Sequence, residues 1–168
     1  MDPMKNNVIL RDASVSDLTA INDIFNHYVR NCTCAWSDEP TTLQERAEWF
    51  DSHGSTHPIL VAQIGGEVVG WGSLSPFHHR SGYRFTVEDS LYIRPDSQGQ
   101  GIGRMLLAEL IRRAKALGYH SVMAMISADQ GPSLALHAKF DFLDRGTLHE
   151  AGFKFQQWLD VVYMQKML

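Results

Sequence analysis

A glycine-rich turn is the part of the sequence best suited to bind a ligand. It reads Gln98-Gly99-Gln100-Gly101-Ile102-Gly103, after an apolar run and before a segment with helical periodicity. Unpaired amides at the start of a helix attract anions, and glycines let the backbone approach phosphate oxygens closely. The turn is therefore predicted to bind a phosphate or pyrophosphate group.

Two common phosphate motifs do not fit this turn. The Walker pattern requires Gly-Lys-Ser/Thr, and no lysine lies between Arg94 and Ala114. The dinucleotide pattern G-x-G-x-x-G requires a glycine at the position of Arg104 and is expected near the start of a βαβ unit. The turn therefore fits neither of these two phosphate sites. The alternatives are a site for a different phosphate compound and a tight strand-to-helix turn without a ligand.

Titratable and cationic residues around this turn suggest acid–base chemistry. Glu88 opens the apolar run before it, and apolar surroundings raise the pKa of a carboxylate toward that of a useful general base. The alternative is a glutamate paired with an arginine at a strand end. Arg80 and Arg84 precede Glu88, and the planar fork of arginine suits a carboxylate, although both also suit an exposed surface.

The surrounding elements predict a mixed α/β sheet that receives helices on both faces. Ser14 and Thr41 or Thr42 mark two helix starts, and Gly65-Gly66 suits a hairpin turn of type I′ or II′. The predicted order is a strand, two helices, three strands, the helix that ends at Gly118, a strand, a short helix and two strand-like halves. No linker or repeat interrupts residues 1–168, which are predicted to form one domain.

Composition excludes several classes of function. The formal net charge is −4 without a run of Lys or Arg, so we expect no nucleic-acid partner. No stretch reaches 18 apolar residues, and residues 1–7 lack the apolar core of a signal peptide, so we expect a cytoplasmic protein without membrane contact. Cys32 and Cys34 are expected to be two reduced thiols, too few for a zinc site.

The glycine turn matches the pattern Q/R-x-x-G-x-G/A through Gln98, Gly101 and Gly103. In this the chain resembles the GNAT acetyltransferases along nearly its whole length. The resemblance implies a mostly antiparallel mixed sheet with helices on both faces, acetyl-CoA as co-substrate and no metal.

Other segments resemble one branch of that family, the phosphinothricin and methionine sulfoximine or sulfone N-acetyltransferases. They are residues 86–93, Leu136-His137, residues 151–155 and residues 158–160. The resemblance implies acetylation of the α-amine of a small amino-acid-like molecule by a homodimer. Exposed aromatic residues would also favour a dimer, because Trp36 and the segment from Phe153 to Trp158 exceed what a small domain readily buries.

The resemblance also implies roles for individual residues. Glu88 is the proposed base, and His137 assists it, shuttles protons or bonds the CoA arm; the alternative for His137 is a polar group satisfied within the fold. The expected acetyl-CoA contacts are Leu91, Tyr92, Ile93, Gln98, Gly99, Gln100, Gly101, Ile102, Gly103, Arg104, Gln130 and Lys139. The expected substrate contacts are Trp36, Arg80, Ser81, Gly82, Tyr83, Arg84 and Glu88.

Three positions depart from the family pattern. Asp141 stands where a glycine is usual, Gln130 replaces an asparagine, and Gln156 replaces a glycine near the expected acceptor site. Two rival functions therefore stay open. One is a GNAT enzyme for another amine, such as a polyamine, an antibiotic or a protein N-terminus; the other is a non-catalytic acyl-CoA sensor. The two arginines argue against a polyamine, and Glu88 argues against a sensor.

Overall fold

A computed structural model describes residues 7–168. Residues 1–6 lie outside the described part, and with them the start of the predicted domain and most of the segment predicted to lack a signal-peptide core. Within residues 7–168, no helix is long and apolar enough to cross a membrane.

Seven strands and four helices follow one another in the predicted order. The strands are β1 (Ile9–Asp12), β2 (Ile59–Ile64), β3 (Glu67–Pro76), β4 (Thr86–Ile93), β5 (Ser121–Ser127), β6 (Leu143–Lys154) and β7 (Gln157–Met167). The helices are α1 (Leu18–Asn31), α2 (Leu43–His53), α3 (Ile102–Ala116) and α4 (Gly131–Ala138).

The strands form one sheet in the order β1-β2-β3-β4-β5-β7-β6. Among the described strands, β4 and β5 are the only parallel neighbours, and the other adjacent pairs are antiparallel. Helix α3 packs on one face with Leu106, Leu107 and Leu110, and α1 and α2 cover the other around Ile21 and Ile24. The predicted fold class is confirmed.

The two parallel strands diverge soon after they meet. Their register covers only residues 86–88 of β4 against residues 121–123 of β5. Beyond this point β4 stays paired with β3, while β5 continues against β7. The facing edges of β4 and β5 are therefore free of ladder partners, which opens a gap in the middle of the sheet.

Close approach of α3 to the sheet depends on a glycine in β3. A Cβ at Gly72 would lie 2.8 Å from Leu91 Cδ2 and 3.1 Å from Leu110 Cδ1. Because such distances require the neighbours to move, glycine at this position lets α3 pack tightly against β3. This packing fixes the helix whose N-terminus follows the glycine turn.

Local signals explain where most elements begin and end. Thr42, one of the two residues predicted to start the second helix, caps α2 and forms a capping box with Glu45. Gly65 and Gly66 both have positive φ, which gives the predicted hairpin turn. Asp141 has a φ of 62°, so it occupies the left-handed conformation that favours glycine.

The prediction of two reduced thiols is wrong for this structure, in which Cys32 and Cys34 are joined as a disulfide. Helix α1 ends at Asn31, and Cys32 is extended with φ −140° and ψ 143°. The Cα atoms of the two cysteines are 5.3 Å apart. This separation lies inside the roughly 4.4–6.8 Å that a disulfide spans.

Candidate functional site

The gap between β4 and β5 opens into a cavity of about 710 Å³. Its walls are the second half of β4, the glycine turn, the first turn of α3, the end of β5 and helix α4. Tyr28, Cys34 and Trp36 close it from the α1 side. Because no ladder partner covers the facing edge of β4 along residues 89–93, backbone groups there are available to a ligand.

The glycine turn presents backbone amides to this cavity. Gly99 and Gly101 have φ of 75° and 80°, a conformation that L side chains rarely adopt. The amides of residues 102–104 open α3 and form no backbone hydrogen bond within the described part of the chain. Arg104 and Lys139 add two positive charges to the wall. Free amides, a helix N-terminus and two cations fit the pyrophosphate of acetyl-CoA.

The structure brings nearly all the predicted acetyl-CoA contacts to this one cavity. Gln100 is exposed and does not line it. The residues that do line it are Leu91, Tyr92, Ile93, Gln98, Gly99, Gly101, Ile102, Gly103, Arg104, Gln130 and Lys139.

A chain of side chains fixes the end of β4 beside the glycine turn. The Tyr28 hydroxyl donates to the Ile93 carbonyl oxygen, and Gln98 Nε2 donates to the Tyr28 hydroxyl at 2.7 Å. Tyr28 was not among the site residues predicted from the sequence. Its contact with the turn depends on tertiary packing, so helical spacing alone gives no sign of it.

Glu88 lies where β4 leaves β5 and lines the same cavity. Burial, and secondly the negative charge of neighbouring Asp89, raise the pKa of its carboxyl to about 7. No hydrogen-bond donor contacts this carboxylate among the described residues. A half-neutralised, unpartnered carboxylate at neutral pH has the properties of a general base.

His137 is buried in α4 with both ring nitrogens engaged. Its Nδ1–H donates to the Ser133 carbonyl at 2.8 Å, and its Nε2 lies 3.0 Å from Asp89 Oδ2. Burial alone would lower the pKa of His137, but the hydrogen bond and charge of Asp89 and the bond to Ser133 raise it overall. This geometry suits a protonated imidazole that ties α4 to β4, and it leaves neither nitrogen free to accept a proton. Asp89 was not among the site residues predicted from the sequence.

Trp36 lies between the cavity and the β6–β7 hairpin. Its side chain is 41% exposed, so it is not an ordinary core residue. A Cβ at Gly152 would lie 2.1 Å from Trp36 Cζ3, so glycine is needed where the indole crosses β6. Lys154 Nζ donates to the carbonyls of Cys32 at 2.8 Å and Ala35 at 2.6 Å, which fastens this loop to the hairpin.

Within a single chain, the residues predicted to bind the carboxylate of the substrate lie away from this cavity. Arg80, Ser81, Gly82, Tyr83 and Arg84 form an exposed turn before β4 and line neither this cavity nor the smaller one described below. Arg84 donates to the Ser81 carbonyl at 3.1 Å, and its guanidinium lies over the ring of Phe85.

Two of the departures from the family pattern are local in effect. Gln130 Nε2 donates to Thr33 Oγ1 and to Asp129 Oδ1, both at 3.1 Å, at the start of α4. Gln156 is exposed at the tip of the β6–β7 hairpin, with φ 60° next to Phe155 with φ 51°. Two successive positive φ values are typical of a type I′ turn, a conformation in which glycine is favoured.

A second cavity of about 210 Å³ lies between α1–α2 and the faces of β3 and β4. Ser90 and Tyr92 line both cavities. They share a face of β4 with Glu88, because alternate residues of a strand point the same way. The two cavities therefore meet at Ser90 and Tyr92, on the face of β4 that also carries Glu88. Within residues 7–168, no group of three or more His, Cys, Asp or Glu side chains is arranged to hold a metal.

The fold and the cavity in the split sheet define a class of enzyme. Residues 21–142 match the model of the acetyltransferase (GNAT) family, and the chain belongs to this family. The predicted family and enzyme class are thereby confirmed.

Individual relatives have related activities. An L-methionine sulfoximine/L-methionine sulfone acetyltransferase of Pseudomonas aeruginosa is 41% identical, over 93% of this chain and 92% of its own. A phosphinothricin acetyltransferase from Sinorhizobium meliloti, solved in complex with AcCoA, superposes with a TM-score of 0.93 at 37% identity, over 96% of this chain and 88% of its own. A ribosomal-protein-alanine N-acetyltransferase from Brucella melitensis superposes with a TM-score of 0.93 at 39% identity, over 95% and 99%.

Proposed function

We propose that this chain transfers the acetyl group of acetyl-CoA to the α-amine of a small amino-acid-like molecule such as phosphinothricin, methionine sulfoximine or methionine sulfone. The observation that carries this proposal is the position of Glu88, a carboxyl with a pKa of about 7 in the wall of the larger cavity, on the face of β4 whose next residues, Ser90 and Tyr92, line both cavities. The names of the relatives supply the acceptor class.

Glu88 has the chemistry that such a transfer requires. When bound, acetyl-CoA would supply a thioester: the amine attacks its carbonyl carbon, the C–S bond breaks, and the departing CoA thiolate takes up the proton that the acetylated nitrogen loses. An ammonium group has no lone pair, so a base must remove one proton first, and Glu88 takes that proton directly or through one water. The backbone amides along residues 91–93 hold the pantetheine arm and polarise the thioester carbonyl.

The remaining predicted residues position the reactants. The amides at the start of α3, with Arg104 and Lys139, hold the pyrophosphate and neighbouring phosphate. His137 and Asp89 form a buried pair that sets the distance between α4 and β4. Trp36 forms one wall beside the acceptor.

An acceptor panel tests the proposal. The protein is incubated with acetyl-CoA and, separately, phosphinothricin, methionine sulfone, spermidine, an aminoglycoside and a peptide with an N-terminal alanine. Released CoA thiol is measured, and the products are analysed by mass spectrometry. We expect turnover of the two amino-acid-like acceptors, acetylated on the α-amine. Preferential turnover of the peptide, the polyamine or the aminoglycoside would contradict the acceptor class, and tight acetyl-CoA binding without turnover would indicate a sensor.

We also propose that the enzyme is a homodimer. Phe153 and Trp158 are cross-strand partners with ring centroids 4.9 Å apart, and Trp158 is 62% exposed. Leu148 and Phe155 extend this apolar surface along the hairpin. A second copy of the chain would cover it and bring exposed residues of one protomer near the acceptor site of the other. Light scattering should give twice the chain mass, and Trp158→Glu should give the monomer mass.

We also propose that residues 1–168 form a single domain and that the protein is cytoplasmic. The continuous seven-stranded sheet supports one domain. Cell fractionation tests the location: the protein should be recovered with the cytoplasmic fraction, and recovery from an extracytoplasmic fraction would contradict the proposal.

A further inference from the structure

The smaller cavity contains a buried cation that the sequence analysis did not single out. Arg46 of α2 is 4% exposed and lines this cavity with residues of α1, β3 and β4. Its guanidinium carbon lies 4.6 Å from the ring centroids of Phe25 and Trp49 and 5.7 Å from that of Trp71. The cation is therefore held in place by aromatic rings.

The charge of Arg46 is not balanced by an anion of the chain. Its Nε donates to Asn22 Oδ1 at 3.3 Å, and no carboxylate lies within 4.0 Å of it among residues 7–168. Burial lowers its pKa to about 10, so it stays protonated at neutral pH. Several N–H donors of its fork are left for a ligand.

The energetics favour a missing anionic partner. A buried unpaired charge costs more free energy than cation–π contacts return. Trp71, which is 2% exposed and lines the same cavity, has a buried indole Nε1–H without an acceptor in the described structure. Two unsatisfied donor groups around one cavity point to a ligand that bears acceptor oxygens.

The position of the cavity relates this anion site to the proposed base. Ser75 is the register partner of Glu88, and Trp71 is the partner of Tyr92, four residues further along β4. At about 3.3 Å per residue along the strand, the Ser75–Glu88 pair and the Trp71–Tyr92 pair are roughly 13 Å apart. An acceptor that lies between these pairs and forms one hydrogen bond at each end therefore has about 7 Å between its amine nitrogen and its oxyanion. This length suits an acid group at the end of a glutamate-like side chain.

We propose that Arg46 binds the acidic tail of the acceptor, a carboxylate or phosphinate carried on the side chain, while the α-amine lies at Glu88. This inference rests on the proposed function and narrows it: among the proposed acceptors, Arg46 favours phosphinothricin, whose tail is acidic, over methionine sulfoximine and methionine sulfone, whose tails are neutral. Arg46 is a specificity-determining residue here and takes no part in proton transfer.

The test compares acceptors that share an α-amine and differ in the tail. Values of kcat/KM are measured for phosphinothricin and for norleucine, which has an apolar tail of similar length. Arg46→Gln should lower kcat/KM for phosphinothricin at least tenfold, mainly through KM, and should change that for norleucine less than threefold. Arg46→Lys keeps the charge but not the planar fork of the guanidinium, so its kcat/KM for phosphinothricin should lie between that of the parent and that of Arg46→Gln. Arg80→Gln and Arg84→Gln are matched controls and should leave the ratio between the two acceptors unchanged.

The possible failures are distinguishable. If the parent acetylates none of phosphinothricin, methionine sulfone and norleucine, the proposed function fails. If the parent acetylates phosphinothricin but Arg46→Gln and Arg46→Lys lower kcat/KM equally for both acceptors, only the role of Arg46 is overturned. The same holds if the ratio of the two kcat/KM values changes only in Arg80→Gln or Arg84→Gln. Calorimetry with acetyl-CoA shows that each variant is folded, because the larger cavity does not include Arg46.

Discussion

The two cavities, which meet at Ser90 and Tyr92 of β4, are built in different ways. The larger is formed by backbone: a split between β4 and β5, two glycines with positive φ and the first amides of a helix. The smaller is formed by side chains from α1, α2, β3 and β4, with Arg46 among aromatic rings. A site formed by side chains can change its ligand through single substitutions, whereas a site formed by backbone cannot. The proposed cofactor site and the proposed acceptor site should therefore respond differently to mutation.

The largest expected effect comes from a change of Glu88, in the wall of the larger cavity close to the smaller one. Glu88→Gln keeps the shape of the side chain but removes its basicity, so kcat should fall by about 10²–10⁴. The Kd for acetyl-CoA should change less than twofold, because the backbone provides the cofactor contacts. Stopped assays of CoA release and calorimetry measure the two quantities.

His137→Ala is the control for this prediction. A loss as large as that of Glu88→Gln, together with a nearly silent Glu88→Gln, would transfer the role of base to the histidine. We expect instead that His137→Ala mainly lowers thermal stability, because it leaves the buried Asp89 without its partner.

A change in the glycine turn should affect only the larger cavity. Gly101→Val places a β-branched side chain at a φ of 80° and points it toward the expected pyrophosphate. Binding of acetyl-CoA should weaken more than tenfold, or about 1.4 kcal/mol. Gly118→Val is the matched control, because Gly118 also has a φ of 80° with open space around it but lies outside the cavity. Equal weakening in both variants would attribute the effect to backbone strain.

The smallest expected effect lies outside both cavities. Gln156→Gly removes one left-handed non-glycine residue from the hairpin tip and should stabilise the fold by about 1 kcal/mol. The melting temperature should rise by about 2–4 °C, with kcat/KM unchanged. Gln157→Gly, one residue later in β7, should lower stability. A change in acceptor preference in Gln156→Gly would show that the hairpin tip contributes to the acceptor site.

The difference between the cavities also explains what could be predicted from the sequence. The element order, the capping box at Thr42 and the glycine turn depend on neighbours in the chain, so local patterns indicate them. Arg46 and Trp71 are 25 residues apart and meet only because α2 packs on β3. Their joint role depends on register and packing, which a single sequence does not reveal. The disulfide between Cys32 and Cys34 depends likewise on the extended backbone at the end of α1.

The pH dependence of kcat/KM for the acetylated acceptor tests the central claim most directly. The pKa of Glu88 is raised to about 7, so the carboxyl is protonated and inactive as a base below that pH. In the parent, kcat/KM should fall about tenfold per pH unit below pH 7, and Glu88→Gln should show no break near this pH. A break of the same position and steepness in both proteins would contradict the assignment of Glu88 as the base.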